Sequence, residues 1–262
     1  MKRERSSSGS EDFPFWLVAV VLLLGVAYGM VWLDDGASQI FATLRKGVWI
    51  TVFVTVISFL AASLLGLGLA LMSLSGSLIL RQIARFYVEI IRGIPILVLL
   101  LYVAFVFAPA LVALWNWSGL PEIRTRDFPL LWRAILALVI AYSSFIAEVF
   151  RAGLQSVDEG QIEAAQALGL KSFHRFRFIV LPQATRTILP PLGNDFVAMV
   201  KDSSLVSVVG VLDLAQLGKV TAAGNFRYFE TYNIVALIYL TMTILLSLGL
   251  RRLERYLAQK DG

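Results

Sequence analysis

Four polar side chains, Asn194, Asp195, Lys201 and Asp202, interrupt a stretch that is otherwise uncharged and largely apolar over residues 190–212. On a helix of about 3.6 residues per turn, Asn194 and Lys201 share one face, and Asp195 and Asp202 share another about 100° away. Lys201 and Asp202 are consecutive and so do not face each other. Each needs a partner on another element, water, or a ligand that carries both charges. The same residues would serve equally to pin two helices or a dimer seam. Ser203 follows directly, and Tyr142, Ser143 and Ser144 put hydroxyls on a second apolar run, where they suit either a shared pocket or helix packing. Arg92, just before Gly93-Ile94-Pro95, is placed to anchor a helix end at a headgroup layer.

The chemistry the chain lacks narrows the field. His174 is the only histidine and there are no cysteines, so neither a disulfide framework nor a metal-ligand set is expected. A phosphate-binding loop needs GxxxxGK[ST]; the one Gly-Lys pair, Gly218-Lys219, is followed by Val220 and has Asp213 where the first glycine belongs. No catalytic residues are assigned, and the chain is not expected to be an enzyme.

The elements that must position these residues are membrane helices. The chain has 262 residues, 58% hydrophobic and only 16% charged, with a mean hydropathy of +0.77. A hydrocarbon layer of about 30 Å takes roughly 20 apolar residues per helical crossing, and every backbone polar group must be satisfied within the segment. Runs of that length recur. Residues 15–33 carry no charge and read as a retained first helix rather than a cleaved signal. Residues 47–72 form a second, with Ser58, Ala62, Gly66 and Ala70 as a small-residue stripe that invites a close neighbour. The run SLSGS over 73–77 is a turn, residues 81–93 an amphipathic interfacial helix, and 94–115 a third span, with Pro95 in its first turn and Pro109 kinking or ending it. Residues 130–150 make a fourth span, in which Arg133 snorkels to an interface. Residues 190–212 make a fifth and 232–250 a sixth. The predicted class is an all-α integral membrane protein, a polytopic bundle of about six transmembrane helices.

Lys and Arg sort by side. With a cytoplasmic amino terminus, that side receives the cations of the head, of 81–92, of 151–186 and of the tail, and these outnumber the ones left outside. By the positive-inside rule both termini are cytoplasmic. The net charge of +5 is thus mainly a topology signal, and no nucleic-acid partner is expected.

One cytoplasmic segment stands apart: GQIEAAQALGLKSFHRFRFIVLP, residues 160–182. Residues 161–168 are strong helix formers and Gly169 is a helix stop, followed by a basic, aromatic run. By physics alone this is an interfacial helix lying on lipid or a docking segment. Its pattern, Glu163-Ala164-Ala165, three residues, Gly169, nine residues, Ile179, one residue, Leu181-Pro182, resembles the EAA loop of the permease subunits of ABC importers. The segments YVEIIRGIPILVLLL (87–101), AEVFRAGLQSVDEGQIEAAQALGL (147–170), LPQATRTILPPLGNDF (181–196) and VKDSSLVSVVGVLDL (200–214) narrow the resemblance to the polar amino-acid uptake permeases, the histidine, glutamine and glutamate type.

That resemblance, over roughly residues 46–252, implies a type I importer permease fold in a bacterial plasma membrane. It implies a coupling helix, held by Glu163, Ala164, Ala165, Gly169, Leu181 and Pro182, that docks on a separate ATP-binding-cassette ATPase. ATP and Mg²⁺ would sit on that partner and no cofactor on this chain. Further implied partners are a second permease subunit, identical or paralogous, an external substrate-binding protein and membrane lipid. An amino-acid zwitterion would offer its carboxylate to Lys201 or Asn194 and its ammonium to Asp195 or Asp202, with Tyr142 and Ser203 nearby, and the resemblance implies a gating contact at Arg92 and Pro95. The expected organisation is a head over 1–14, a first helix and outer loop over 15–45, a permease core over 46–252 with its coupling loop at 151–186, and a tail over 253–262. The extended 115–128 connection and the leading helix depart from the shortest family members. Two other classes compete: a polytopic membrane enzyme acting on lipids, which would need Asp195, Lys201, Asp202 and His174 to converge, and an ion-driven secondary transporter, which would show an inverted repeat that is not evident here.

Overall fold

The structure, a computed structural model, describes residues 15–258, with side chains as far as residue 255. The expected polar head over 1–14 lies outside the described residues, as does the end of the tail.

Helix α1, Phe15–Leu33, is followed almost at once by α2, Asp35–Ser73. Asp34 caps α2 by accepting a hydrogen bond from the Gly36 N–H at 2.8 Å. With 39 residues α2 is about 58 Å long, nearly twice a bilayer core. The expected outer loop over 34–45 is therefore helical. The reason is tertiary: Ala37, Ile40 and Leu44 lie on one face, and that stripe is buried in a cluster with α1 residues and with Ile234, Val235, Leu237 and Ile238. Further along, Ser58, Ala62, Gly66 and Ala70 are all buried, as the stripe predicts. A Cβ at Gly66 would stand 3.0 Å from the Ser143 carbonyl oxygen and 3.1 Å from the Ala147 nitrogen, so α2 meets its neighbour backbone to backbone.

After the turn at 74–77, α3, Leu78–Gly93, is amphipathic as expected. Pro95 is the N-cap residue of α4, Ile96–Tyr102, one position before its expected place. Pro109 does not end this span. A π turn, Val103–Phe107, precedes it and α5, Ala108–Trp117, continues the rod. Proline cannot donate to the carbonyl four residues back, and the wider turn gives its ring room.

Helix α6 is Leu130–Gln155. Arg133 does not snorkel. It is 7% exposed, and its guanidinium donates to the carbonyls of Phe128 at 2.7 Å, Ala104 at 3.1 Å and Thr125. Three backbone acceptors outcompete a headgroup layer, and the arginine ties the 118–129 connection to the start of α6. The Asn116 side chain adds a two-way clasp to the Ile123 backbone, 2.9 Å in each direction.

Next come α7, Glu159–Ala167, the single turn α8, Ser172–Arg175, and a second π turn, Phe176–Val180, ahead of Pro182. Helix α9 is Leu181–Asp202, nine residues earlier in its start than expected and with Pro190 and Pro191 inside it. A 3₁₀ segment, Ser203–Val209, follows and closes at Gly210, whose φ is +87°. Helix α10, Leu214–Asn225, fills the interval between the expected fifth and sixth spans, and α11 is Tyr228–Ala258.

Among the described residues five helical stretches are long and apolar enough to cross a membrane: α1, α2, Ile96–Trp117, α6 and α11. Helix α9 falls short on composition and packs against α2, α6 and α11. The main core joins α2, α4, α6 and the end of α9 around Val54, Leu100, Leu138, Ile146 and Met199. A second core joins α1, the start of α2 and α11.

Candidate functional site

The 158–182 segment is built from its caps. Asp158 accepts from the Gln161 N–H, and Gly169, at φ +76°, ends α7. The Gly169 N–H donates to the Gln166 carbonyl at 2.9 Å and the Leu170 N–H to the Ala165 carbonyl at 3.1 Å. These are the paired bonds of a Schellman stop, in which a residue with a Cβ is strained. Ala165 is buried at 3% exposure, and Val157 packs with Ala184 and Ile188, fixing the segment to the first turns of α9. Gln183 Nε2 donates to Gln161 Oε1 at 2.6 Å.

What remains points outward. Glu163 and Ala164 are exposed, and among the described residues Glu163 makes neither a hydrogen bond nor an ion pair. The N-cap of α7 is supplied by the Asp158 side chain, not by Glu163. Leu168 is 81% exposed, and Phe173, Phe178, Leu181 and Pro182 are exposed with it. His174 stacks on Phe178 at 6.0 Å between centroids, and among the described residues no three metal-ligating side chains gather.

The second candidate lies halfway along α6. The Tyr142 hydroxyl donates to Asp202 Oδ2 at 2.8 Å, joining α6 to the last residue of α9. Asp195 Oδ2 is buried without a hydrogen-bond partner among the described residues. Ser203 is buried, but its hydroxyl donates to its own helix at the Val200 carbonyl, 2.7 Å away. Ser144 likewise donates to Ala141 at 2.7 Å, so both serve packing. Asn194 is exposed. Lys201 is not brought to this group: it lines a separate cleft with Trp16, Ser247 and Arg251. The sequence reading placed the lysine and the aspartates on different faces, and the structure sends those faces to different neighbours.

Arg92 ends α3 with its guanidinium 5.6 Å above the Phe145 ring, and it lines a polar cavity of about 550 Å³ between α3 and α6. Glu148 and Arg151, one turn apart on α6, pair along its wall at 2.6 Å. The Pro95 carbonyl accepts from the Leu99 N–H at 3.0 Å and starts the next span.

Two polar clusters escaped sequence reasoning. Tyr87 donates to the Ile140 carbonyl at 3.1 Å and lies 2.8 Å from Ser143 Oγ, fastening α3 to α6. Asp213, fully buried, caps α10 at Gln216, 2.9 Å away, and accepts from Tyr239 at 3.2 Å. Burial pushes the Asp213 carboxyl above its usual range, against the hydrogen bonds that pull it down. The spacing Asp213-x-x-Gln216 was the available signal for that helix start.

With the geometry in place, the likenesses are informative. A profile of the family described as "Binding-protein-dependent transport system inner membrane component" matches residues 62–260. A probable amino-acid permease protein, YxeN, of Bacillus subtilis (strain 168) is 35% identical over 221 residues, 84% of this chain and 93% of that protein. The glutamine transport system permease protein GlnP of Escherichia coli (strain K12) is 35% identical over 212 residues, 81% of this chain and 91% of that one. Among solved structures, an amino acid ABC transporter crystallised with histidines superposes with a TM-score of 0.72 at 35% identity, covering 84% of this chain and 97% of that one. An inward-facing form of the MetNI methionine ABC transporter shares the fold at 23% identity and a TM-score of 0.66, covering 86% of this chain and 99% of that one. The chain therefore belongs to the binding-protein-dependent transport system inner membrane component family, among its amino-acid ABC importer permeases.

Proposed function

We propose that this permease takes up polar amino acids, with α7 as the lever that couples the membrane helices to an ATPase subunit. The observation that carries the reading is Glu163, exposed and without a partner among the described residues, beside Ala164 on a helix stopped at Gly169 and flanked by Leu168, Phe173 and Leu181. A charged acceptor amid exposed apolar side chains fits a protein cleft better than water. Ala164 permits close approach, and the buried Ala165 and Val157 transmit force to α9. Moving a two-state bundle from 1:99 to 99:1 takes about 5.5 kcal/mol, which nucleotide-driven closure would deliver through this joint.

In this reading ATP and Mg²⁺ stay on the partner ATPase, a second permease completes the pathway, and an external binding protein delivers substrate. Both termini and α7 face the cytoplasm. Tyr142, Asp202 and Asp195 form the substrate-facing group, with Asn194 at its edge and Arg92 and Pro95 at the inner gate. The unpartnered Asp195 oxygen supports this, since a buried acceptor without a donor is matched by a substrate ammonium. The test is reconstitution with the partner subunits and a competition panel of labelled amino acids. Polar amino acids should compete, and uptake indifferent to all of them would overturn the reading.

A further inference from the structure

Lys201 is the cation that the central group leaves out. Its side chain is exposed, and among the described residues it has no hydrogen bond and no ion pair. It opens instead into a cleft of about 230 Å³ between α1, α9 and α11. Arg251 lines the same cleft with its guanidinium 5.1 Å over the Trp16 ring. Thr243 and Ser247 line it too, and among the described residues the Ser247 hydroxyl makes no hydrogen bond. The remaining lining is aliphatic. The outer wall is α1, a helix without charge that lies outside the matched residues 62–260.

Each feature points to the same ligand chemistry. An unpaired ammonium within the bundle is costly unless its long stem carries it to an anion or to the interface. Trp16, in the first turn of α1 with the Arg251 guanidinium over its ring, sets the level of that interface, because a tryptophan at a helix end belongs at the headgroups. Two cations and a free hydroxyl suit phosphate oxygens, and the aliphatic lining suits the first carbons of an acyl chain. No carboxylate lines the cleft to compete for the cations. We infer that Lys201 and Arg251, walled by α1, form a site for the headgroup phosphate of an anionic phospholipid. This site is separate from the transported substrate and does not depend on which amino acid is carried.

The full-length permease, purified and delipidated, is mixed with phosphatidylcholine and phosphatidylglycerol, and the lipid retained per chain is counted by native mass spectrometry. Wild type should retain phosphatidylglycerol selectively. Lys201→Gln and Arg251→Gln should each lower that retention roughly five-fold, the weight of one cation at a membrane surface. Lys201→Arg should keep it. Ser247→Phe, which fills the cleft without touching a charge, should lower it too. Arg252→Gln, one residue along but not lining the cleft, should leave it unchanged. Thermal midpoints of all variants establish that they fold. Equal losses in Arg252→Gln and Arg251→Gln would overturn the site, as would undiminished retention in Ser247→Phe. Displacement of the lipid by inorganic phosphate alone would assign the cleft to a free anion and overturn it as well.

Discussion

Tyr142 and Asp202 are sixty residues apart in sequence and joined by a 2.8 Å hydrogen bond that ties the middle of α6 to the end of α9. The phenol is 3% exposed, so its partner carboxylate has little water to fall back on. Removing the donor with Tyr142→Phe should cost about 1–3 kcal/mol, the penalty for leaving a buried polar group unsatisfied. The check is the thermal midpoint in detergent together with uptake. Asp202→Asn, which keeps an acceptor for the phenol, should retain more stability than Tyr142→Phe; if the two fall equally, the hydrogen bond is not what holds the helices.

Gly66 marks a close backbone approach of α2 and α6. A Cβ there meets backbone atoms at 3.0 and 3.1 Å as well as the Ile146 side chain. Backbone atoms do not rotate away, so Gly66→Ala should destabilise by about 1–3 kcal/mol. Gly68→Ala, where a Cβ meets nothing within 4 Å, should be tolerated. Chemical denaturation of the two variants compares them directly.

Gly169 needs its left-handed backbone. Gly169→Ala should strain the α7 stop by about 1–2 kcal/mol and lower uptake, while Gly169→Asn, which tolerates that conformation, should recover much of the loss. Uptake rates of the pair, normalised to inserted protein, decide it; an Asn variant as poor as Ala would remove the cap from the account.

Arg133 binds three carbonyls that a single ammonium cannot reach together. Arg133→Lys should therefore lower the thermal midpoint and make the 118–129 connection sensitive to protease added outside. A midpoint equal to wild type would mean the connection is held by the Asn116 clasp alone.

Asp34 and Arg227 pair at 3.1 Å and join the α1–α2 corner to the start of α11. The Gly36 and Ala37 N–H groups, then the arginine, hold the Asp34 carboxyl below its ordinary range. A depressed carboxylate stabilises the fold above its unfolded pKa of about 3.9, and that contribution is lost as pH falls through the folded value. Asp34→Asn should thus melt earlier than wild type at neutral pH, and the gap should close in strong acid. A gap that persists there would show that the pair is not its source.

Five of the six expected spans and helix α7 were legible because their signals are local: apolar runs, a four-residue small stripe, and Gly169 after strong helix formers. What sequence did not give was set by distant contacts. Residues 34–45 read as loop until α11 covers Ala37, Ile40 and Leu44. Arg133 read as an interfacial cation until three carbonyls converge on it. Lys201 and the aspartates were placed on separate faces by periodicity, but which neighbours those faces meet is a matter of helix packing, which no local pattern encodes. The two π turns were hidden for another reason, since prolines 109 and 182 signal a disturbance without stating its form.

The central claim is that α7 docks on an ATPase. The chain has no cysteine, so Ala164→Cys supplies a single thiol on the exposed face of that helix. Oxidative crosslinking against cysteines placed along the cleft of the partner ATPase tests the joint. The account predicts one dominant crosslink that blocks ATP-dependent uptake until it is reduced; a thiol that crosslinks nowhere, or that is labelled by an impermeant reagent from outside intact cells, contradicts it.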